Sequence, residues 1–111
     1  MPSLASQKCL QCEGGVPPLK DEELEKLKNQ LDEEAPGWEL RDAKHLQKTF
    51  KFDDFKTALE FVNKIGVIAE AEGHHPNIEL GWGFVKVLIW THAIDGLSEA
   101  DFVLAAKINL S

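Results

Sequence analysis

The sequence predicts an α+β fold in which three helices pack on one face of a four-stranded antiparallel sheet. Two observations predict it. Apolar residues recur at helical spacing in three segments, and between these lie two pairs of short segments in which apolar and polar residues alternate. The order is therefore helix, two strands, helix, two strands, helix. Consecutive strands joined by short turns pair as antiparallel hairpins, and the helices then cover one face of the sheet.

The first helix is predicted over about 21–33, where leucines recur every three or four residues. Asp21 is expected to cap it, since its side chain can accept a hydrogen bond from a free backbone N–H of the first turn. Pro36 and Gly37 stop the helix. A short strand at 38–41 follows.

The second strand carries Leu46, Phe50 and Phe52 at positions of the same parity, after a polar turn at 42–44. Asp53 or Asp54 begins the second helix, and Gly73 ends it because glycine readily takes the left-handed conformation of a helix terminus. The apolar face of this helix is predicted to consist of Phe55, Ala58, Leu59, Val62, Ile65 and Ala69.

The second hairpin begins at Asn77, where Ile78, Leu80 and Trp82 alternate with polar or small residues. A more continuous apolar strand, about 84–91, is predicted to occupy a central position. Gly81 and Gly83 both fit the bend between the two strands.

The last helix has a well-defined predicted start. Ser98 is the expected N-cap, and Asp101 three residues later resembles the second member of a capping box. Leu97 and Phe102 stand at the positions of a hydrophobic staple.

Length and charge limit the classes of function. A chain of 111 residues is expected to hold one domain, here 19–111, after a flexible extension over 1–18. The net charge of −7 and the scattered lysines and arginines exclude direct nucleic-acid binding, which needs clustered cations. No apolar run is long enough to cross a membrane. The expected location is the cytoplasm, with the nucleus as an alternative.

Cys9 and Cys12 form a C-x-x-C motif within the predicted extension. Such a motif can be half of a zinc site or a redox pair. No second pair of ligands follows nearby, and the setting is not a strand-to-helix turn, so free thiols are the preferred interpretation.

The predicted layers leave one face of the sheet without cover from the chain itself. Apolar residues on such a face usually meet a partner, most often another copy of the same chain. A homodimer or homotetramer is therefore expected.

Three of the four histidines, His74, His75 and His92, fall within nineteen residues. Histidine donates and accepts protons near neutral pH, so the group suits acid–base catalysis on a small substrate. Glu70 and Asp101 could fix the histidine tautomers or bind a polar ring. From the residues alone, a zinc or iron site and a purely structural role stay open.

The segment 70–76, Glu-Ala-Glu-Gly-His-His-Pro, is followed at fixed intervals by Trp82, the pair Thr91–His92 and Asp101. Together with the Gly37–Trp38 step, this pattern resembles the pterin-4a-carbinolamine dehydratases, a family also known as the dimerization cofactor of a homeodomain transcription factor. The resemblance covers about residues 19–110.

The resemblance implies an enzyme that removes water from a 4a-hydroxytetrahydropterin during pterin recycling and needs neither a metal nor an organic cofactor. It implies an oligomer and, as an alternative function, an interaction protein or transcriptional coactivator. The implied catalytic residues are His74, His75 and His92. The implied substrate-binding residues are Glu70, Gly73, Trp90, Thr91, Asp101 and Trp38.

Several of these assignments have a second interpretation. Trp38 fits a core aromatic equally well, and Asp101 can cap a helix while serving the site. Glu70 is expected to share a helix face with His74, one turn away. Two residues depart from the family pattern: Gly73 replaces an acid of some relatives, and Trp90 replaces a small hydroxyl residue. The side chain of Trp90 can point toward the site or into the sheet. His45 is interpreted as an exposed strand residue.

Overall fold

The computed structural model describes Leu4, 19–42 and 44–109 of the chain. Three helices and a four-stranded antiparallel sheet follow one another in the predicted order. Their bounds are α1 Asp21–Glu34, β1 Glu39–Arg41, β2 His45–Lys51, α2 Phe55–Glu72, β3 Asn77–Gly81, β4 Phe84–Ile89 and α3 Glu99–Asn109.

The sheet has the strand order β1-β2-β4-β3, so β4 is central, as predicted. Leu46 pairs with Ile89 between β2 and β4, and Ile78 pairs with Val87 between β3 and β4. Because side chains alternate between faces, this register places most apolar residues of the strands on the face that meets the helices, whereas Phe84 and Leu88 of β4 lie on the opposite face. Helix α3 lies in the middle of this layer, and all residues from Ala100 to Ala106 are buried.

The starts of α2 and α3 follow the predicted chemistry. Asp54 caps α2, accepting a hydrogen bond of 2.7 Å from the backbone N–H of Thr57. Ser98 precedes α3, and its backbone N–H donates to Oδ2 of Asp101 over 2.8 Å. The carboxylate three residues into α3 therefore reaches back to the residue before the helix, as in a capping box.

Some local predictions were wrong. Lys20, not Asp21, is the N-cap of α1, and no side chain caps that helix. Trp82 lies in the β3–β4 turn with 73% of its surface exposed, because Gly83 takes a φ of +76° there and closes the hairpin. Strand β4 ends at Ile89, two residues early, since Thr91 bridges to Gly96 instead.

The buried face of α2 is also rotated from the predicted one. Phe55 and Leu59 are 45% and 41% exposed, whereas Phe61, which the pattern left out, is buried. Phe61 contacts the rings of Phe50 and Phe52, at centroid distances of 4.6 and 5.2 Å. These ring contacts orient the helix so that Phe61 faces the sheet, and Phe55 and Leu59 lie outside the face that the sheet covers.

The predicted extension falls mostly outside the described residues, as do Cys9 and Cys12. Leu4 is described and is fully buried in the core, with its N–H donating to Glu34 over 2.8 Å. None of the described helices is long and apolar enough to cross a membrane.

Candidate active site

The turn after α2 places the histidine pair. Gly73 has a φ of +66°, and its N–H donates to the carbonyls of Ala69 and Glu70. The N–H of His74 also donates to the carbonyl of Ala69, over 3.1 Å. These bonds satisfy the last carbonyls of the helix and reverse the chain, so His74 points inward and is buried while His75 is exposed.

Asp101 holds His74 from the first turn of α3. Its Oδ1 lies 2.5 Å from Nε2 of His74. Its Oδ2 accepts hydrogen bonds from the hydroxyl of Thr91 and the N–H of Ser98, each over 2.8 Å. The side chain of Asp101 is fully buried. An ionised carboxylate has no proton to donate. A hydrogen bond between Oδ1 of Asp101 and Nε2 of His74 therefore requires the proton to be on Nε2.

The chain after β4 carries the third histidine. The N–H of Thr91 donates to the carbonyl of Gly96 over 2.9 Å, and a short 3₁₀ turn spans His92–Ile94. The side chain of Thr91 is buried against Asp101 and Ser98. Thr91 therefore supports Asp101, while His92 is exposed at the start of the 3₁₀ turn.

Glu70 pairs with His75 rather than His74. Its Oε1 lies 2.8 Å from Nε2 of His75, and both side chains are largely exposed. The expectation that Glu70 and His74 share a helix face was wrong. The helix ends at Glu72, so the four-residue spacing of helical neighbours does not extend past Gly73.

A cleft of about 440 Å³ brings the three histidines together. This volume lies in the range of small-molecule sites. The cleft is lined by Gly73, His74, His75, Pro76, Asn77, Trp90 and His92. A second cavity of about 410 Å³ lies between β2 and α2, lined by phenylalanines and lysines, and no histidine reaches it.

Trp90 points toward the cleft and not into the sheet. Its ring stacks on that of His92, with 4.1 Å between the centroids and 15° between the planes. On the other strand, His45 meets Trp90 nearly at right angles, with centroids 4.8 Å apart. Of the two positions for the Trp90 side chain that the sequence allowed, the structure shows the one that shapes the cleft.

The remaining predicted residues lie at different distances from the cleft. Glu70 and Asp101 do not line it but contact His75 and His74, which do. Thr91 does not line it either, and its side chain contacts Asp101. Trp38 is in the hydrophobic core, 2% exposed, where its ring meets Phe50 edge-on. The geometry therefore favours the interpretation of Trp38 as a core aromatic.

Sequence reasoning missed Asn77 and the contact of His45. Asn77 directly follows His74-His75-Pro76 in the sequence, and this position next to the motif could have marked it as a candidate site residue. His45 has no such signal, because its contact depends on the pairing of β2 with β4. Among the described residues, no group of three or more His, Cys, Asp or Glu is arranged to hold a metal ion.

A model of the family "Pterin 4 alpha carbinolamine dehydratase" matches residues 17–110. The chain belongs to the pterin-4a-carbinolamine dehydratase family. A relative from Rubrobacter xylanophilus, named "Putative pterin-4-alpha-carbinolamine dehydratase", is 52% identical over 98% of each chain. One of the same name from Rickettsia bellii is 52% identical over 97% of this chain and 93% of its own.

Two solved structures described as a pterin dehydratase or as pterin dehydratase-like share the fold of this chain. The transcriptional coactivator/pterin dehydratase from Brucella melitensis is 30% identical and superimposes with a TM-score of 0.74, over 84% of this chain and 96% of that one. A pterin dehydratase-like protein described as a RuBisCO assembly factor in the alpha-carboxysome is 24% identical. It matches 67% of this chain and 87% of that one, with a TM-score of 0.58, and shows the fold alone.

Proposed function

We propose that this chain catalyses the dehydration of 4a-hydroxytetrahydropterins, releasing water and a quinonoid dihydropterin. One observation carries the proposal. The three histidines of the family signature line one cleft, and the most buried of them, His74, is held by the buried carboxylate of Asp101. Membership of the dehydratase family supplies the substrate class.

The reaction requires two proton transfers. The bond between carbon 4a and its hydroxyl oxygen breaks, and an acid must protonate that oxygen so that it leaves as water. The proton on ring nitrogen 5 passes to a base, and its bonding electrons form the double bond between carbon 4a and nitrogen 5. Each positioned proton transfer contributes about 10²–10⁴-fold to the rate.

His74 is suited to the role of base. Its Nε2 proton is donated to Asp101, so the neutral ring has its lone pair on Nδ1. Nδ1 forms no hydrogen bond with the part of the chain that the structure describes. When Nδ1 accepts the proton of nitrogen 5, the charge that develops on the ring is stabilised by the adjacent carboxylate, as in other histidine–carboxylate pairs.

His75 and His92 are assigned to proton donation at the hydroxyl oxygen. Both line the cleft and both are exposed, so they can recover protons from solvent between turnovers. Glu70 lies beside Nε2 of His75 and stabilises the protonated ring, although exposure weakens such a pair. Asn77 supplies an amide that can both donate to and accept from the polar edge of a pterin.

Gly73 and Trp90 would contact the substrate directly, since both line the cleft. Thr91 and Asp101 would act through other residues, because the Thr91 N–H is bonded to Gly96 and both Asp101 oxygens are occupied by the chain. The substrate-binding role predicted for them is therefore replaced, in this proposal, by positioning of His74.

A coupled assay tests the function. An aromatic amino acid hydroxylase generates the 4a-hydroxytetrahydropterin, and its loss is followed by ultraviolet absorbance with increasing amounts of this protein. We expect the rate constant to rise in proportion to the protein concentration, and His75→Ala to remove most of that rise while the circular dichroism spectrum stays unchanged. A wild-type rate equal to the spontaneous background would refute the proposal.

We further propose that the chain self-associates through α2. The outward face of the sheet carries mostly polar side chains, so the support comes instead from α2, where Phe55 and Leu59 are exposed one turn apart. The half-buried Val62 continues this stripe, and a side chain added at Gly66 would meet no neighbour within 4 Å.

Light scattering of the purified protein tests this association. We expect a dimer or tetramer that Leu59→Lys converts to smaller species, while Lys64→Ala, elsewhere on the same helix, does not. A monomeric wild-type protein that binds a different protein through the same stripe would instead support the interaction-protein alternative, which the name of the Brucella structure suggests.

A further inference from the structure

Three aromatic rings lie in a row beside the cleft, one from the first residue of β2 and two from the segment that follows β4. Trp90 stands between His92, which stacks on it in parallel, and His45, which meets it at 87°. The register explains the second contact. Leu46 of β2 pairs with Ile89 of β4, so His45, the first residue of β2, lies opposite Trp90, the residue that follows β4.

His92 is held differently from the other two histidines of the cleft. His74 and His75 each use Nε2 in a contact with a carboxylate. No hydrogen bond fixes the ring of His92 within the described residues, so its orientation comes from the stacking on Trp90. Both of its ring nitrogens are therefore left for a ligand in the cleft.

Trp90 is held from two sides, since it packs against the hydrophobic core and its ring also meets that of His45. It lies beyond the last residue of β4, where the strand ladder with β2 has ended. The side chain of His45 is half-buried and makes no hydrogen bond with the described residues, and its ring contacts Trp90. Edge-to-face packing is the arrangement in which the positive ring edge meets the negative ring face.

We propose that His45 is a positioning residue for His92, acting through Trp90. The proposal rests on the function above, since it assigns His92 to the reacting substrate. His45 fixes the plane of Trp90, Trp90 fixes the plane of His92, and His92 then presents its two nitrogens to the hydroxyl and the neighbouring ring edge of the pterin. Losing an aromatic contact of this kind is expected to change a rate constant by about two- to tenfold.

Two substitutions distinguish the effect of the His45 ring from the effect of its side-chain volume. His45→Leu keeps a side chain of similar size but loses the ring, whereas His45→Phe has a ring without nitrogens. Gln47→Ala is the matched control, since Gln47 is the next half-buried residue on the same face of β2 and does not line the cleft.

The measurement is the proton NMR shift of the His92 ring protons, together with kcat and KM. In the wild type, the Trp90 ring should shift the His92 resonances away from those of a free histidine. We expect His45→Leu to reduce this shift and to lower kcat two- to tenfold with little change in KM, whereas His45→Phe and Gln47→Ala stay close to the wild type.

Unchanged His92 resonances and kcat in His45→Leu would overturn the proposal, as would a failure of His45→Phe to restore them. The NMR shift does not depend on turnover. An inactive wild type with a ring-shifted His92 would therefore refute the dehydratase function and leave the positioning by His45 standing.

Discussion

Nε2 of His74 and Oδ1 of Asp101 lie 2.5 Å apart, and the other oxygen of the same carboxylate accepts from the backbone N–H before α3. One buried side chain therefore orients the imidazole at the back of the cleft and satisfies a free N–H at the start of a helix. The stability of α3 and the geometry of the proposed base are coupled through this residue.

Asp101→Asn should damage activity more than stability. An amide can present its NH₂ group to Nε2 of His74, which would move the ring proton to Nδ1 and remove the lone pair needed there. We expect kcat to fall about 10²-fold. The free energy of unfolding should fall by about 1 kcal/mol, because the amide can still make these hydrogen bonds but no longer offers a charged acceptor, which makes the stronger ones. Steady-state kinetics and urea denaturation measure the two effects.

Ser98→Ala is the control for Asp101→Asn. It alters the residue before α3 but keeps its backbone N–H and leaves the contact between His74 and Asp101 in place. A loss of kcat in Ser98→Ala as large as that in Asp101→Asn would show that the hydroxyl contacts of Ser98 with Thr91 and Asp101, and not the tautomer of His74, govern the rate.

Glu70→Gln should have a small effect that depends on salt. The pair of Glu70 and His75 is exposed, and exposed ion pairs contribute about 0.2–1 kcal/mol, which corresponds to at most about a fivefold change in kcat/KM. The ratio of wild type to Glu70→Gln should approach one as the ionic strength rises. A loss comparable to that of Asp101→Asn, independent of salt, would instead indicate that Glu70 contacts the substrate.

Gly73→Ala should destabilise the protein through backbone conformation alone. The φ of Gly73 is +66°, and an added Cβ would meet no atom within 4 Å, so no steric clash contributes. The expected cost is about 1–2 kcal/mol. Gly73→Asn should cost less, because asparagine tolerates this conformation. Equal midpoints of thermal unfolding in all three proteins would contradict the assignment of Gly73 as the terminator of α2.

Asp54 should stabilise the protein only above acidic pH. Hydrogen bonds from the side chain and the backbone N–H of Thr57 lower the pKa of Asp54 below its ordinary value of 3.8. A lowered pKa means that the stabilisation is complete above the unfolded value and is lost as the pH falls through the folded one. The melting temperature of Asp54→Ala should therefore lie below that of wild type at neutral pH and converge with it in acid.

Asp53→Ala is the matched control for the Asp54 series. It removes the same charge from the neighbouring exposed position, which does not cap the helix. If Asp53→Ala lowers the melting temperature as much as Asp54→Ala does, net charge rather than capping is responsible.

The element order and the helix ends at Asp54, Gly73 and Ser98 could be predicted because each depends on local chemistry. A cap or a left-handed glycine acts within a few residues of its own position. The position of Asp101 followed for the same reason, since its spacing from Ser98 is that of a capping box. The three histidines were found from the residues alone, but only the family pattern favoured catalysis over a metal site or a structural role.

The contacts that could not be predicted depend on tertiary packing. The pairing of Glu70 with His75 follows from the chain reversal at Gly73, and helical spacing gives the wrong partner. The burial of Phe61 in place of Phe55 depends on ring contacts with β2. The row of His45, Trp90 and His92 depends on a strand register that no local pattern specifies.

The most direct test of the account is the rate constant for dehydration of a 4a-hydroxytetrahydropterin by wild type and by His74→Gln. Glutamine can still donate a hydrogen bond to Asp101, which keeps the buried carboxylate satisfied, but it cannot accept a proton at the position of Nδ1. We predict that wild type accelerates the reaction above its background and that His74→Gln loses about 10²–10⁴-fold of that acceleration while remaining folded. A folded His74→Gln protein with the wild-type rate constant would contradict the account.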